Sequence, residues 1–432
     1  MSVTLENIVS LCKRRGFIYP SAEIYGGLNG VYDTGHFGVL MKENIRAIWK
    51  KSVALAGYQT IYMEGSLLGP ETLWQASGHV SNFHDPMIDC LHCKKRYRAD
   101  DINIEKPCIH CGNKHWTDVR QFNLMFKTEL GAAQGNTSLA YLRPETAQAI
   151  FVNFKNVYSS NRVKIPFGIA QVGKAFRNEI TPKQFLFRMR EFEQMEVEWF
   201  CHPNESIDFF EQWCQKRKLF YEYIGLNLNK IRFRPHAKDE LSHYSKQTTD
   251  IEYEFPFGWK ELEGIAHRGD FDLTQHSKNA GKDLSIFDEE TKSAFMPHVV
   301  ECSVGLDRLF LTLLFDAYHT ETVEGEDRIV LKLHPRIAPV KAVVLPLVKK
   351  LTDNAMPVFN QLEQKGFHVL FDDSGSIGKR YRRYDEIGVP VCFTFDFNSI
   401  DDHCVTARNR DTLQQERISI NSVGEYMLKL LL

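Results

Sequence analysis

The chain has 432 residues, of which 43% are hydrophobic and 25% are charged, so ordinary globular composition excludes global disorder. Its 53 Lys and Arg residues nearly balance its 55 Asp and Glu residues, so any nucleic-acid surface must be a local patch. No apolar run approaches the ~18 residues that span a bilayer, and the N-terminus lacks the apolar core of a secretory signal, so the sequence predicts a soluble cytoplasmic protein with no membrane partner.

Residues 1 to about 85 combine predicted helices with a glycine-rich turn, Tyr25-Gly26-Gly27-Leu28-Asn29-Gly30. Residues from about 86 to 120 are polar and rich in Cys, His and Lys, which indicates an insertion. Four of the ten cysteines lie there, and the scatter of the other six is typical of a reducing compartment rather than a disulfide scaffold.

The four clustered cysteines form two CxxC pairs, Cys90 with Cys93 and Cys108 with Cys111. Two tight knuckles at this spacing predict a tetrahedral site for structural Zn²⁺. The alternative is a redox dithiol, which two pairs at ribbon spacing disfavour. Arg98 lies between the knuckles, so we expect the metal to fix that arginine near a substrate.

Residues from about 121 to 330 alternate predicted strands and helices. The strand over 166–176 runs into a loop that carries Arg177, Arg188 and Arg190, and the chain returns as a strand over 193–200. The period of two puts Glu196 and Glu198 on one face. Such a face is either the solvent side of a half-buried sheet or the floor of a polar pocket. Convergent arginines favour a nucleotide site, since the guanidinium binds phosphate bidentately.

A strand over 298–304, the turn residue Gly305 and an amphipathic helix over 306–315 follow later in the chain. Arg308 lies in the first turn of that helix, where backbone N–H groups already favour an anion. Together with the preceding hairpin, this arrangement strengthens the prediction of a nucleotide site.

A loop is predicted over 321–327, before a block of different pattern. Strands over 341–347, 368–371 and 389–395 alternate with helices over 353–366 and 378–387, which predicts a small α/β domain around a parallel or mixed sheet. The last helix contains Lys379, Arg380, Arg382 and Arg383 between tyrosines. Basic residues interleaved with tyrosines suit a nucleic-acid backbone and stacked bases, although a solvated helix face is the simpler interpretation.

These segments resemble the class II aminoacyl-tRNA synthetases, and within them the glycyl-tRNA synthetases of the α2 homodimer type. Phe176–Glu179 with Arg188–Phe192 resembles motif 2, and Gly305–Arg308 resembles motif 3. Further similar stretches are Tyr25–Gly30, Tyr97–Asp100, Arg143–Gln148, Glu191–Glu196, Glu301–Gly305, Leu333–Pro335 and Asp372–Tyr381. The resemblance covers nearly the whole chain.

The resemblance implies a fold in two parts. Residues 1–330 would form the class II catalytic domain, an antiparallel sheet flanked by helices, with the zinc-knuckle-like insertion at about 86–120. Residues 331–432 would form an α/β anticodon-binding domain. The family usually has Gly-Pro-Leu-Gly where this chain has Gly35-His36-Phe37-Gly38, and this departure falls in the motif 1 region, which packs at the dimer interface.

The resemblance also implies the reaction and the site. Glycine and ATP, with Mg²⁺, would form glycyl-adenylate, and the glycyl group would pass to tRNA(Gly). Arg177 and Arg308 would be catalytic. The residues that would bind ATP are Arg177, Asn178, Glu179, Phe187, Arg188, Met189, Arg190, Glu191, Phe192, Glu261, Leu262, Gly305, Leu306, Asp307 and Arg308. The residues that would bind glycine are Arg98, Glu145, Phe192, Glu193, Gln194, Met195, Glu196, Arg268, Glu301, Cys302, Ser303, Val304 and Gly305.

The residues support this chemistry independently of the resemblance. Nucleotidyl transfer needs in-line positioning and cations on the phosphates, and the glycine carboxylate needs no general base. Glu145, Glu196 and Glu301 would fill space and hold the glycine ammonium, although each alone could be a structural ion pair. Two other functions are disfavoured. The arginines and pocket carboxylates are all present, which argues against a non-catalytic nucleic-acid-binding relative such as an accessory subunit of a DNA polymerase. The contexts of Glu145 and Glu301 argue against a class II synthetase for proline, threonine or histidine.

Overall fold

The computed structural model describes residues 3–55, 57–131, 138–242, 244–289, 291–323 and 325–431. The helices are α1 (Leu5–Arg15), α2 (His36–Ser52), α3 (Glu71–Ala76), α4 (His79–Asn82), α5 (Ala147–Asn161), α6 (Ser206–Tyr223), α7 (Phe271–Ala280), α8 (Leu306–Ala317), α9 (Thr352–Gln364), α10 (Ile377–Ile387), α11 (Ser399–Asp402) and α12 (Val423–Leu431). None of the helices in these ranges is both long and apolar enough to cross a membrane.

Twenty-four strands are assigned within the described residues. The first twelve are β1 (Ile18–Pro20), β2 (Tyr32–Thr34), β3 (Thr60–Tyr62), β4 (Leu68–Pro70), β5 (His84–Asp89), β6 (Arg96–Arg98), β7 (Arg120–Asn123), β8 (Lys127–Leu130), β9 (Ser138–Leu142), β10 (Phe167–Phe176), β11 (Glu191–Cys201) and β12 (Ile231–Pro235). The others are β13 (Gln247–Phe255), β14 (Gly258–Gly269), β15 (Ile286–Asp288), β16 (Ser293–Phe295), β17 (His298–Gly305), β18 (Tyr318–Val323), β19 (Glu326–Leu331), β20 (Ala342–Pro346), β21 (Val369–Phe371), β22 (Val391–Phe395), β23 (Cys404–Asn409) and β24 (Gln415–Ser419).

A seven-stranded sheet in the order β12-β13-β14-β17-β11-β10-β3 forms the centre of the larger part of the chain. Its neighbours are antiparallel except for β10 and β3. One face packs against α6 and α8, whose apolar side chains join a large buried cluster. The predicted antiparallel sheet flanked by helices is therefore confirmed, and the strands over 166–176, 193–200 and 298–304 are β10, β11 and β17.

The period of two explains how the sheet divides its two faces. Along β11, Met195, Val197 and Trp199 belong to the large apolar cluster, whereas Glu196 and Glu198 point to the opposite face and are also buried. The predicted acidic face is thus the floor of a polar pocket and not the solvent side of the sheet. Buried carboxylates in a sheet centre require a chemical reason.

The segment between 86 and 120 forms a three-stranded sheet, β6-β5-β7, whose central strand begins just before it. Its two CxxC pairs lie in turns outside the strands. The segment buries few apolar side chains, Met87 and Ile88 among them, whereas Leu91, Ile104 and Ile109 are exposed.

The C-terminal sheet has the order β21-β20-β22-β23-β24, with the first three strands parallel and the last two antiparallel. This is the predicted mixed α/β domain. Its helix α10 packs on β19, and Arg14 and Arg15 of α1 both bond Glu386. The two parts of the chain therefore share a packed boundary.

Two expectations about this region were wrong. Within the predicted loop over 321–327, residues 321–323 and 326–327 belong to the paired strands β18 and β19. Glu321 faces Arg328 there, and their side chains form an ion pair. Arg380, expected on a basic surface, is 1% exposed. Its guanidinium donates to the carbonyls of Pro346 and Asp372, so it ties α10 to the sheet.

Candidate active site

A pocket of about 450 Å³ opens on the polar face of the central sheet. Its lining comes from β11, β14 and β17, from the loop between β10 and β11, and from the insertion. The residues that line it include Phe83, Asp85, Arg98, Leu124, Glu145, Arg177, Glu179, Leu186, Phe187, Arg188, Met189, Phe192, Gln194, Glu196, His236, Ser242, Tyr244, Thr248, Asp250, Glu261, Gly264, Ala266, Glu301, Ser303, Gly305, Asp307 and Arg308.

One end of the pocket is acidic. Glu196 on β11 and Ser303 on β17 are cross-strand partners, and the Ser303 hydroxyl donates to Glu196 Oε1 at 2.6 Å. The amide of Gln194 donates to the same oxygen at 2.9 Å, and the Thr146 hydroxyl bonds the other. Glu145 and Glu301 line the same cavity. Three carboxylates therefore meet in one small space.

The protonation of these carboxyls follows from their surroundings. Burial, followed by the charges of Glu301 and Glu145, raises the pKa of Glu196 to about 7. Burial also raises the pKa of Glu301, against the opposing charge of Arg268. For Glu145, burial acts in the raising direction, but His79, Arg268 and Gln148 outweigh it and hold the pKa below its usual range. The site accumulates negative charge that a cation would relieve.

Hydrogen bonds from outside the pocket hold Glu145. His79 Nε2 lies 3.3 Å from Glu145 Oε2, while its Nδ1 contacts the hydroxyl of Ser77 at 2.8 Å. Gln148 donates to the second oxygen of Glu145 at 3.0 Å, and its own carbonyl oxygen meets His276. The carboxylate is thus fixed from behind and its orientation is preset.

Arg268 does the same for Glu301. Its guanidinium donates to Glu301 Oε2 at 2.8 Å and makes a two-point ion pair with Asp272. The ring of Tyr244 covers the guanidinium, with 3.8 Å from its central carbon to the ring centroid. Arg268 is buried and lies behind the pocket wall.

The other end of the pocket is cationic and aromatic. The guanidinium carbon of Arg177 lies 5.2 Å from the ring centroids of both Phe83 and Phe192. Arg308, at the start of α8, stacks on Phe187 at 4.4 Å and donates to the carbonyl of Glu261 at 2.9 Å. Planar cations held against rings suit phosphate and a flat heterocycle.

The insertion reaches this end of the pocket. Arg98 of β6 forms an ion pair with Asp85 of β5 at 3.0 Å, and both line the cavity. Lys183 and Arg188 of the β10–β11 loop approach Asp101 at 2.8 and 3.9 Å. The segment that carries the cysteines therefore also supplies part of the pocket wall, through Arg98.

Several residues predicted for the site lie elsewhere, and strand periodicity is the main reason. Met195, Leu262, Cys302, Val304 and Leu306 belong to the apolar cluster on the opposite face. Glu193 also points away and pairs with Arg46 at 2.6 Å.

Four more residues predicted to bind ATP or glycine lie beside the pocket and do not line it. Glu191 pairs with Lys174, and Arg190 holds the carbonyls of Asn29 and Glu179. The backbone N–H of Asn178 donates to Leu124, while Arg268 lies behind Glu301. A family motif identifies a stretch of the chain, but only every second residue of its strands has a side chain that reaches the cavity.

Sequence reasoning also missed residues that line the pocket, among them Asp85, His236 and Tyr244. They come from an edge of the insertion and from the segment before β13. His236, which directly follows β12, lies 2.8 Å from Asp250 of the adjacent strand β13. A prediction of a hairpin over 231–255 would have indicated this pairing. Nothing in the local sequence around Asp85 or Tyr244 points to the pocket.

The four cysteines form one cluster. Their sulfur atoms lie within 4.8 Å of one another, with Cys90–Cys111 at 3.6 Å and Cys93–Cys108 at 3.8 Å. Sulfur atoms at the corners of a tetrahedron with Zn–S bonds of about 2.3 Å would be about 3.8 Å apart. The donor set and its spacing fit a tetrahedral metal, and these distances are too long for disulfides.

The basic helix presents only part of its predicted surface. Lys379 is exposed on α10, whereas Arg382 is half-buried and lies 3.6 Å from Glu326. Arg383 pairs with Asp372 at 2.6 Å and Arg380 is buried. Nearby, Lys350 lies 4.5 Å from the exposed ring of Phe397. These groups lie near the carboxyl ends of β20 and β22, the edge at which open α/β sheets bind ligands.

Two family models match the chain. The model described as "tRNA synthetase class II core domain (G, H, P, S and T)" matches residues 126–318, and the model described as "Anticodon binding domain" matches residues 341–430. The first contains β9 to α8 and therefore most of the pocket. The second contains the mixed C-terminal sheet and α10.

The chain is also similar over its whole length to curated proteins. It is 50% identical to a glycine–tRNA ligase of Caldanaerobacter subterraneus subsp. tengcongensis, over 99% of this chain and 98% of that protein. It is 50% identical to a glycine–tRNA ligase of Acetivibrio thermocellus, over 98% and 97%. With a glycine–tRNA ligase of Geobacillus kaustophilus it shares 50% identity over 99% of both chains.

Proposed function

The chain belongs to the family of glycine–tRNA ligases, and on that premise we propose that its pocket joins glycine to ATP as glycyl-adenylate and passes the glycyl group to tRNA(Gly). The chain is an ATP-dependent ligase with a class II core and an anticodon-binding domain. The observation that carries the adenylate proposal is the division of one cavity into a carboxylate end and an arginine end. Such a division matches the two reactants.

The acidic end would bind glycine. Glu145, Glu196 and Glu301 would receive the ammonium. Its charge would offset the burial and the repulsion from Glu301 and Glu145 that raise the pKa of Glu196. Because the carboxylates are held by hydrogen bonds from behind, they leave a space of fixed shape. A larger amino acid would have to push its side chain into this wall. Overlap can discriminate more strongly than a missing methylene, which is worth ~1–3 kcal/mol.

The arginine end would bind ATP. Arg177 and Arg308 are aligned by stacking on Phe192 and Phe187, so their charges are in place before the nucleotide enters. The glycine carboxylate would attack the α-phosphorus, and pyrophosphate would leave. The contribution of the protein is to align the reactants and stabilise the charge on the phosphates.

Class II synthetases use Mg²⁺, which supplies charge neutralisation on ATP phosphates. The carboxylate of Glu261 is half exposed at the pocket rim and lies 3.3 Å from Arg308. An oxygen donor in this position suits a hard cation, so we assign Glu261 as a residue that would hold Mg²⁺. Arg308 and Glu261 would then act on the same phosphate group.

The C-terminal domain would bind the anticodon arm. Lys350 and Lys379 are exposed cations near the carboxyl edge of the sheet, Arg382 is half-buried beside them, and Phe397 offers an exposed ring for a base. Because Arg380 is buried and Arg383 pairs with Asp372, the basic patch is smaller than the sequence suggests. Phosphate contacts here would position the tRNA without reading its sequence.

We assign the cysteine cluster to a structural Zn²⁺ ion. All four coordination positions would be filled by thiolates, which leaves no site for substrate. The metal would order the turns beside β5 and β6 and thereby hold Arg98 and Asp85 at the pocket wall. A zinc content of about one per chain in reduced, chelator-free protein would support this assignment, and its absence would contradict it.

We also propose that the enzyme is a cytoplasmic homodimer. The resemblance to the α2 type supports the dimer. So does the turn between β1 and β2, where Ile24 and Tyr25 are 88% and 87% exposed. This turn contacts the β10–β11 loop, since Arg190 N–H donates to the carbonyl of Gly30 at 2.8 Å. Sedimentation analysis of the chain and of the variant Ile24→Asp/Tyr25→Asp would test the state of assembly.

Amino-acid-dependent exchange of pyrophosphate into ATP tests the central proposal. Among the twenty amino acids, glycine should support exchange, while alanine and serine should give rates lower by orders of magnitude. Exchange with another amino acid would overturn the glycine assignment, and binding of nucleic acid without any exchange would indicate a non-catalytic relative.

A further inference from the structure

Glu198 is a buried carboxyl for which the proposed chemistry has no use. It follows Glu196 on the same face of β11 and is fully buried. Neither of its carboxyl oxygens accepts a hydrogen bond from an N–H or O–H group of the described residues. Its cross-strand partner on β17 is Glu301, so one carboxyl faces another.

The position of Glu198 marks a boundary in the sheet. On one side of it Glu196 opens into the pocket. On the other side Phe200 packs with Phe154 and Phe167 in an apolar cluster. Helix α5, which packs against β11, contributes apolar side chains to that cluster. A carboxylate at this boundary with no donor would be strongly unfavourable.

The charges around Glu198 do not compensate for its burial. Glu196 and Glu301 are acidic, and Arg268, the cation on β14, is already bound to Asp272 and Glu301. Burial, followed by the charge of Glu301, raises the pKa of Glu198 well above its ordinary value. Burial therefore favours the neutral form of Glu198, and a neutral carboxyl opposite Glu301 carries a proton that it can donate.

We propose that Glu198 is a neutral carboxylic acid that donates a hydrogen bond to Glu301 and so positions the Glu301 carboxylate for the ammonium of glycine. Arg268 holds Glu301 from β14, and Glu198 holds it from β11. Glu198 is a positioning residue because it acts through Glu301 and does not line the pocket. This inference rests on the proposed function, since it assumes that Glu301 meets glycine.

Two variants test whether a neutral hydrogen-bond donor at position 198 is sufficient. Glu198→Gln keeps the shape and a donor but can never be ionised. Glu198→Leu keeps the volume and removes the donor. In glycine-dependent pyrophosphate exchange, the KM for glycine should stay within threefold of wild type in Glu198→Gln. It should rise about tenfold or more in Glu198→Leu, because a hydrogen bond to a charged group is lost. The KM for ATP should change little in either variant.

The protonation state has its own readout. The infrared spectrum of the wild type should contain a carbonyl stretch of a neutral carboxylic acid at pH 7 that Glu198→Gln lacks. An equal loss of glycine affinity in both variants would overturn the proposal, because it would show that the carboxyl group itself is needed in ionised form. Unchanged glycine affinity in Glu198→Leu would overturn the positioning role. If the wild type shows no glycine-dependent exchange, the proposed function fails instead.

Discussion

The substitution Glu196→Gln should remove the pH dependence of stability that this residue contributes. In the folded protein the pKa of Glu196 is raised from 4.5 to about 7, first by burial and then by Glu301 and Glu145. Between these two values the folded state binds more protons at this position than the unfolded state. The free energy of unfolding must therefore fall as the pH rises through this window.

The size of the effect follows from the shift. One pKa unit corresponds to about 1.4 kcal/mol, so this rise corresponds to roughly 3 kcal/mol of destabilisation in full above pH 7, and to none well below pH 4.5. Glutamine stays neutral and can still accept hydrogen bonds from Ser303 and Gln194. Relative to wild type, Glu196→Gln should therefore gain roughly 3 kcal/mol of stability between pH 5 and pH 8.

Urea denaturation at several pH values from 5 to 8 measures this difference. Glu211→Gln, at an exposed position on α6, is the matched control and should follow the wild type. Glu196→Gln should also lose glycine binding. The wild type should bind glycine better as the pH rises through about 7, because Glu196 then ionises. Parallel stability curves for wild type and Glu196→Gln would refute the argument.

Three further changes test other parts of the structure. Arg308→Ala should lower the rate of pyrophosphate exchange by about 100-fold or more, because removal of one preorganised charge contact costs ~3–4 kcal/mol in the activation barrier. Replacement of Lys350, Lys379 and Arg382 by Ala should weaken tRNA charging and flatten the salt dependence of tRNA binding, while pyrophosphate exchange stays intact. Cys93→Ser should lose the metal, expose residues from about 88 to 118 to protease and reduce glycine activation while the main core stays folded.

For each of these three changes, one outcome would contradict the prediction. Exchange within a few-fold of wild type in Arg308→Ala would contradict the ATP site. Arg380→Ala is the comparison variant for the surface substitutions on α10. Because it loses buried contacts, it should destabilise the C-terminal domain in a thermal melt. Unchanged charging in the triple variant would mean that the helix face is only solvated. A protease-resistant insertion in Cys93→Ser would contradict the structural role of the cluster.

The regular elements could be predicted because their patterns are local. The strands β10, β11 and β17 and the helices α8 and α10 lie within a few residues of their predicted bounds. The cysteine cluster was also predictable, since two tight knuckles bring four sulfurs together without help from the rest of the fold. The alternation along β11 even separated the polar face from the apolar face.

The remaining features depend on contacts between distant segments. Arg380 has the sequence context of a surface arginine, and only the carbonyls of Pro346 and Asp372 show that it is buried. The hairpin over 321–327 has a charged sequence typical of a loop, but Arg328 pairs with Asp385 of α10. Tyr244 lines the pocket, and its ring packs against the guanidinium of Arg268. Such pairings are long-range and have no local pattern.

The way in which each glutamate is held explains how a pocket with three acidic groups can select the smallest amino acid. Exclusion by overlap works only if the wall does not yield, and an unsupported Glu side chain has several rotamers with which to yield. Here Glu145 is held by His79 and Gln148, and Glu301 by Arg268. Each support lies behind the carboxylate and leaves its pocket side free for the ammonium. If glycine binds as proposed, its selection would depend as much on residues that never touch it as on the three carboxylates.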